Sequence, residues 1–93
     1  MSVLLKDLPK EDLPRERLLS NGVESLSNTE LIAILLRTGT KSVSAKDLAD
    51  AILSKYKDIT EMKYVSIQEL ESIKGMGFAK STNLLAALEL GRR

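Results

Sequence analysis

The run Ile73-Lys74-Gly75-Met76-Gly77-Phe78-Ala79-Lys80-Ser81-Thr82-Asn83-Leu84 decides how the chain is read. Its two glycines separate a short apolar-periodic segment ending at Ile73 from a longer one beginning near Phe78, so the chain must reverse sharply between them. Glycine permits the reversal because it accepts positive φ and brings a bare backbone to the bend. If the bend opens the next helix, the N–H groups around Gly77 are unpaired and carry the positive end of the helix dipole. Such a terminus holds a phosphate without any special side chain. Lys80, one short turn into that helix, adds an ammonium beside the same oxygen atoms.

Around this bend, 93 residues with 43% hydrophobic content fit one small domain, which buries roughly 60–65% of its unfolded surface. Leu, Ile and Ala dominate and the aromatics are only Phe78, Tyr56 and Tyr64, a composition that favours helix packed on helix. With neither cysteine nor histidine, disulfides, thiolate metal sites and the usual neutral-pH general base are excluded. No apolar run approaches the roughly 18 residues of a membrane span, and the N-terminus lacks a signal-peptide layout, so a cytoplasmic protein is expected. The net charge is only +1, but residues 74–93 carry Lys74, Lys80, Arg92 and Arg93 against Glu89, and residues 1–73 are net negative. The positive excess thus lies in the segment with the glycine bend.

Residues 1–13 place Val3, Leu4, Leu5, Leu8 and Leu13 among charges and Pro9, and read as an N-terminal arm. Pro14 suits the first position of a helix that Gly22 ends. Ser27-Asn28-Thr29-Glu30 is a capping box, opening a helix to about Arg37 that is apolar nearly all round and therefore central. Thr38 and Gly39 stop it, and Ser44 caps a further helix to about Lys55 with Leu48, Ala49, Ala51, Ile52 and Tyr56 mostly on one face. A connector over 58–64 is expected to bury Ile59 and Met62. Ser66-Ile67-Gln68-Glu69 is a second capping box, starting a short helix to about Lys74, and the last helix carries Leu84, Leu85, Leu88 and Leu90.

The two boxes lie 39 residues apart, and Ser27, Glu30, Leu31 and Ile34 match Ser66, Glu69, Leu70 and Ile73 in type. Each is followed by a glycine-containing turn and a helix beginning near an Ala-Lys pair, Ala45-Lys46 and Ala79-Lys80. The expected fold class is therefore all-α: a small bundle of paired helix-hairpin-helix units, over 14–93, joined by a short connector helix. The first turn has one glycine, Gly39, and a longer loop, so its grip on phosphate should be weaker or absent. Met76 reads as a plug that packs the turn on the core, and Ser81 as the small residue that lets helices approach closely.

Taken together, Pro14-Arg15-Glu16-Arg17-Leu18-Leu19, Ala33-Ile34-Leu35-Leu36-Arg37-Thr38-Gly39, Ile73-Lys74-Gly75-Met76-Gly77 and Glu89-Leu90-Gly91-Arg92-Arg93 resemble the N-terminal domain of the bacterial RadC family, also called UPF0758. The resemblance covers nearly the whole chain, and Ala-Ile-Leu-Leu-Arg-Thr-Gly is its most specific part. It implies a link to DNA repair and a C-terminal metal-dependent domain of the JAB/MPN type. That domain's ligands, paired histidines and an aspartate, have no counterpart here, so any hydrolase activity the resemblance implies lies outside this chain.

Enzymatic readings of these residues fail on chemistry. Lys80 as a nucleophile needs a desolvating pocket or a cationic neighbour, and Ser81, Thr82 and Asn83 supply neither. Asp47 and Asp50 share a helix face but have no further ligands, so they read as a solvated face. No catalytic residue, metal or cofactor is therefore assigned. The expected activity is sequence-independent binding of DNA phosphates by Lys74, Gly75, Met76, Gly77, Phe78, Lys80 and Ser81, with Arg92 and Arg93 as peripheral charges. The rival expectation is a docking module for the C-terminal domain of the same full-length protein or for another partner, without nucleic acid.

Overall fold

The computed structural model describes residues 13–56 and 58–93, and among these every regular element is helical. The expected arm lies, up to residue 12, outside the described residues. The elements are α1 (Pro14–Asn21), α2 (Asn28–Leu36), α3 (Ala45–Leu53), α4 (Ile67–Glu71) and α5 (Phe78–Arg92), with 3-10 turns at Val23–Ser25 and Ile59–Tyr64.

Side-chain caps fix where most of them start. Ser27 Oγ accepts the Glu30 N–H at 3.2 Å while Glu30 Oε1 accepts the Ser27 N–H at 3.0 Å. Ser66 and Glu69 repeat this box at 3.1 Å in both directions. Ser44 Oγ takes the Asp47 N–H at 3.0 Å to open α3, and Asp58 Oδ1 takes the Thr60 N–H at 2.9 Å to open the connector. Each cap satisfies a donor that the helix cannot pair internally.

Two helical hairpins, α2–α3 and α4–α5, result, with the Ile59–Tyr64 turn between them. α2 packs on α3, α5 and α1, which makes it the central helix its composition predicts. Its burial is one-sided, however: Ile32, Ala33 and Leu36 enter the core while Leu35 faces outward. Leu48, Ala49 and Ile52 of α3, Met62 of the connector, and Leu70, Ile73, Met76 and Leu84 of the second hairpin complete one core.

Three boundaries fall short of the sequence expectation. α2 stops at Leu36 because Arg37 adopts φ 71° and its N–H closes on the Ala33 carbonyl. α3 ends at Leu53, and Ala51, assigned to its inner face, is exposed. α4 ends at Glu71, since Ile73 donates to Leu70 O in a tight turn rather than continuing the helix.

Candidate functional site

The second turn is built from two glycines with different duties. Gly75 has φ +98°, and a Cβ there would lie 3.2 Å from Leu48 Cδ1 and 3.3 Å from Thr40 Cγ2. It supplies the left-handed backbone and the close approach that the bend requires. Gly77 has φ −96° and ψ −171°, extended backbone open to any residue, and among the described residues nothing lies within 4 Å of where its Cβ would be. Of the two glycines, only Gly75 needs the positive φ that the sequence reading gave to the bend as a whole.

Gly77 is also the N-cap of α5, and it has no side chain with which to cap. The first backbone bond of the helix runs from Ser81 N–H to Gly77 O at 3.0 Å. The N–H groups of Gly77, Phe78, Ala79 and Lys80 find no acceptor among the described residues. α2, α3 and α4 each spend a serine oxygen on this duty, whereas α5 leaves its positive end bare.

Lys80 Nζ donates to Thr38 Oγ1 at 3.2 Å, a hydroxyl in the loop of the first hairpin. Among the described residues no carboxylate pairs with Lys80 or with exposed Lys74. Phe78 is 70% exposed at the mouth of the turn.

Four residues of the expected set do not serve it as side-chain ligands. Ser81 is fully buried, its Oγ without a hydrogen-bond partner, so it allows close packing and cannot reach an external phosphate. Met76 is buried in the core and its N–H is spent on Ile73 O at 3.0 Å, which removes it as a donor. Arg92 and Arg93 both bind Glu89, at 2.8 and 2.9 Å, and hold its carboxyl below the ordinary glutamate range. They also sit at the far end of α5, about 22–24 Å from Gly77 at 1.5 Å per residue.

The structure adds the first loop, which the sequence reading had set aside. Thr38 meets Lys80, and Thr40 lies against Gly75, so the two turns are neighbours. A signal for this was present: the segments 37–46 and 72–83 hold Arg37, Lys41, Lys46, Lys74 and Lys80 and not one Asp or Glu. Of these five, Lys46 alone has a carboxylate partner among the described residues, Asp50 at 3.5 Å.

Among the described residues no three His, Cys, Asp or Glu side chains are grouped to hold a metal ion. Asp50 instead accepts from Thr29 Oγ1 at 2.8 Å and pairs with Lys46. No helix of the described residues is long and apolar enough to cross a membrane.

Comparison with known proteins places the chain among similar sequences. The profile of a family described as UPF0758 N-terminal matches residues 5–82. A UPF0758 protein of Geobacillus kaustophilus is 52% identical over the whole chain, which covers 41% of that protein. One from Bacillus licheniformis is 56% identical over 96% of the chain and 40% of its own length, and one from Listeria monocytogenes is 42% identical over 98% of the chain and 41% of its own length. The chain thus spans about two fifths of the length of the curated relatives it matches. No solved structure matches it.

Proposed function

This chain belongs to the UPF0758 N-terminal family, and from that premise we propose that it binds DNA without regard to sequence, gripping backbone phosphates at the turn between α4 and α5. In this reading the α4–α5 unit is a helix-hairpin-helix motif. The RadC likeness and its link to DNA repair in the bacterial cytoplasm belong to the same proposal. The observation that carries it is the bare start of α5: among the described residues the N–H groups of Gly77 to Lys80 find no acceptor, and the ammonium of Lys80, in the same turn, has no carboxylate partner. Phosphate supplies what both lack, an acceptor and a negative charge. Gly77 leaves room for it, since among the described residues nothing lies within 4 Å of where its Cβ would be.

The groups the turn offers are backbone amides and lysine ammoniums aimed in this reading at phosphates, so the contact positions a duplex rather than selecting one. Two to three neutralised phosphates give a log–log salt slope between about −1.8 and −2.7, so affinity falls roughly 12- to 40-fold from 50 to 200 mM salt. Titration of a labelled duplex at several salt concentrations tests this. Binding near 10⁻⁴ to 10⁻⁶ M at the low-salt end, roughly the non-specific range, is expected. No binding there, or binding unchanged in a folded Lys80→Glu protein, overturns the proposal.

A second reading is docking against the remainder of a longer protein, the metal-dependent domain that the RadC likeness implies. It is favoured by the two-fifths coverage of the relatives and by Leu19 and Leu90, which are 86% and 75% exposed. Tight association with the separately produced remainder, together with no duplex binding, selects it.

A further inference from the structure

Four basic side chains of the described residues sit on carboxylates: Arg17 on Glu30, Lys46 on Asp50, and Arg92 and Arg93 on Glu89. Lys80 is held differently. Its ammonium is tied to a neutral hydroxyl, Thr38 Oγ1, 42 residues earlier in the chain. A carboxylate would cancel the charge as well as fix it. A hydroxyl fixes the position and leaves the charge whole, with two of three ammonium protons free to donate.

The loop that carries the hydroxyl is itself well anchored. Thr38 N–H donates to Leu36 O at 2.8 Å. Just beyond it, Thr40 N–H donates to Val43 O at 2.7 Å, and Thr40 Oγ1 accepts from Ser42 and Val43 N–H. Gly39 is pressed so closely on the Val43–Ala45 backbone that a Cβ would lie 1.9 Å from Val43 O. Thr40 Cγ2 also rests against Gly75, so the loop is seated on the very turn whose lysine it holds.

From this arrangement we infer that Thr38 is a positioning residue for the phosphate site of the second hairpin: it fixes the ammonium of Lys80, a residue of the bare first turn of α5, so that the first hairpin serves the grip of the second. The inference rests on the DNA-binding reading above. A free lysine loses side-chain entropy when it meets an anion, and a tethered one has already lost part of it. Without the tether the charge remains but its placement does not.

The test is a duplex titration of the 93-residue protein at several salt concentrations, with Thr38→Val, Thr38→Ser, Lys80→Gln and the Thr38→Val, Lys80→Gln double variant. Thr38→Val is expected to weaken binding about threefold with the salt slope unchanged, because the number of cations meeting phosphate is the same. Thr38→Ser restores the affinity. Lys80→Gln lowers the slope by about 0.9, and in that background Thr38→Val has no further effect, the non-additivity expected of residues acting through one contact. Carbon relaxation at Lys80 Cε gives a readout without DNA: slower motion than at Lys74 in the parent, equal motion in Thr38→Val. A parent that binds duplex and weakens with Lys80→Gln but ignores Thr38→Val overturns this inference alone. A parent that binds no duplex overturns the DNA reading, and the assigned role of Thr38 with it.

Discussion

The two hairpins begin alike and end differently. Both start from a serine–glutamate capping box and turn at a glycine, yet the glycines do opposite work. Gly39 makes room for the protein's own backbone, and the loop around it spends the N–H groups of Thr40, Ser42 and Val43 internally before Ser44 caps α3. Gly77 makes room for nothing among the described residues, and the amides after it stay unspent there. A repeat in sequence is therefore a repeat in architecture and not in chemistry. Where a turn spends its polar groups internally it is a structural part, and where it leaves them to water they stand open to an outside acceptor.

The contrast is broken most severely at Gly39. A methyl group 1.9 Å from Val43 O cannot be accommodated without moving backbone, so Gly39→Ala is expected to cost about 3 kcal/mol or more, a fall of roughly 12–24 °C in melting temperature for a domain of this size. A melting temperature within a few degrees of the parent would show that the first turn is looser than its packing indicates. At the second turn the expected losses are in binding. Lys80→Glu replaces an attractive charge with a repulsive one and should weaken duplex binding by at least about tenfold at low salt. Gly77→Ala puts a methyl over the open amides, weakening binding about fivefold, and costs only about 0.5–1 kcal/mol of stability, since φ −96° suits alanine and the loss is that of a glycine N-cap replaced by a poorer one. Equal melting temperatures for Gly39→Ala and Gly77→Ala would erase the distinction between the turns.

The helical architecture was legible because its determinants are local. Ser27, Ser44 and Ser66 announce their helices within three residues, and the apolar spacing supplies the faces. The bend was legible from the two glycines, although their division of labour was not, because it depends on Leu48 and Thr40 approaching from elsewhere in the chain. The same holds for Thr38: a contact across 42 residues leaves no periodic trace. The burial of Ser81 was nearer to hand. Ser81, Leu84, Leu85 and Leu88 follow the i, i+3, i+4, i+7 spacing of one helix face, and a serine in that row is packed rather than presented.

A smaller effect separates the hairpins by their anchorage. Glu30, in the first capping box, also receives Arg17 of α1, so one carboxylate ties α1 to α2. The Ser27 backbone and hydroxyl contacts, with Arg17 beside them, hold its carboxyl below the ordinary glutamate value of 4.5 against the opposing effect of burial. A carboxyl lowered in the folded state stabilises the fold above its unfolded value, and that contribution is lost as pH falls below 4.5 and through the folded value. Glu30→Gln should therefore cost about 0.5–1 kcal/mol at neutral pH, in the range of a weakened helix cap, and the difference from the parent should shrink as the solution is acidified below 4.5. A difference independent of pH would assign the loss to packing.

The smallest expected effect concerns charges that resemble part of the site in sequence and are separated from it in space. Arg92 and Arg93 share the net-positive segment with Lys80, and a reading by composition groups them. In the fold they stand about 22–24 Å along α5 from its open end, at 1.5 Å per residue, beyond a Debye length of about 8 Å at physiological salt. Both are engaged with Glu89. Their pull on a phosphate at Gly77 is thus screened by solvent and partly cancelled by a neighbour. Replacing both with alanine should change duplex affinity by less than about twofold and leave the salt slope where the parent has it, whereas a true phosphate contact would remove about 0.9 from that slope. A slope lowered by that amount would mean that a duplex lies along α5 and not only across its first turn, and the contrast between the two hairpins would then describe one end of a longer interface.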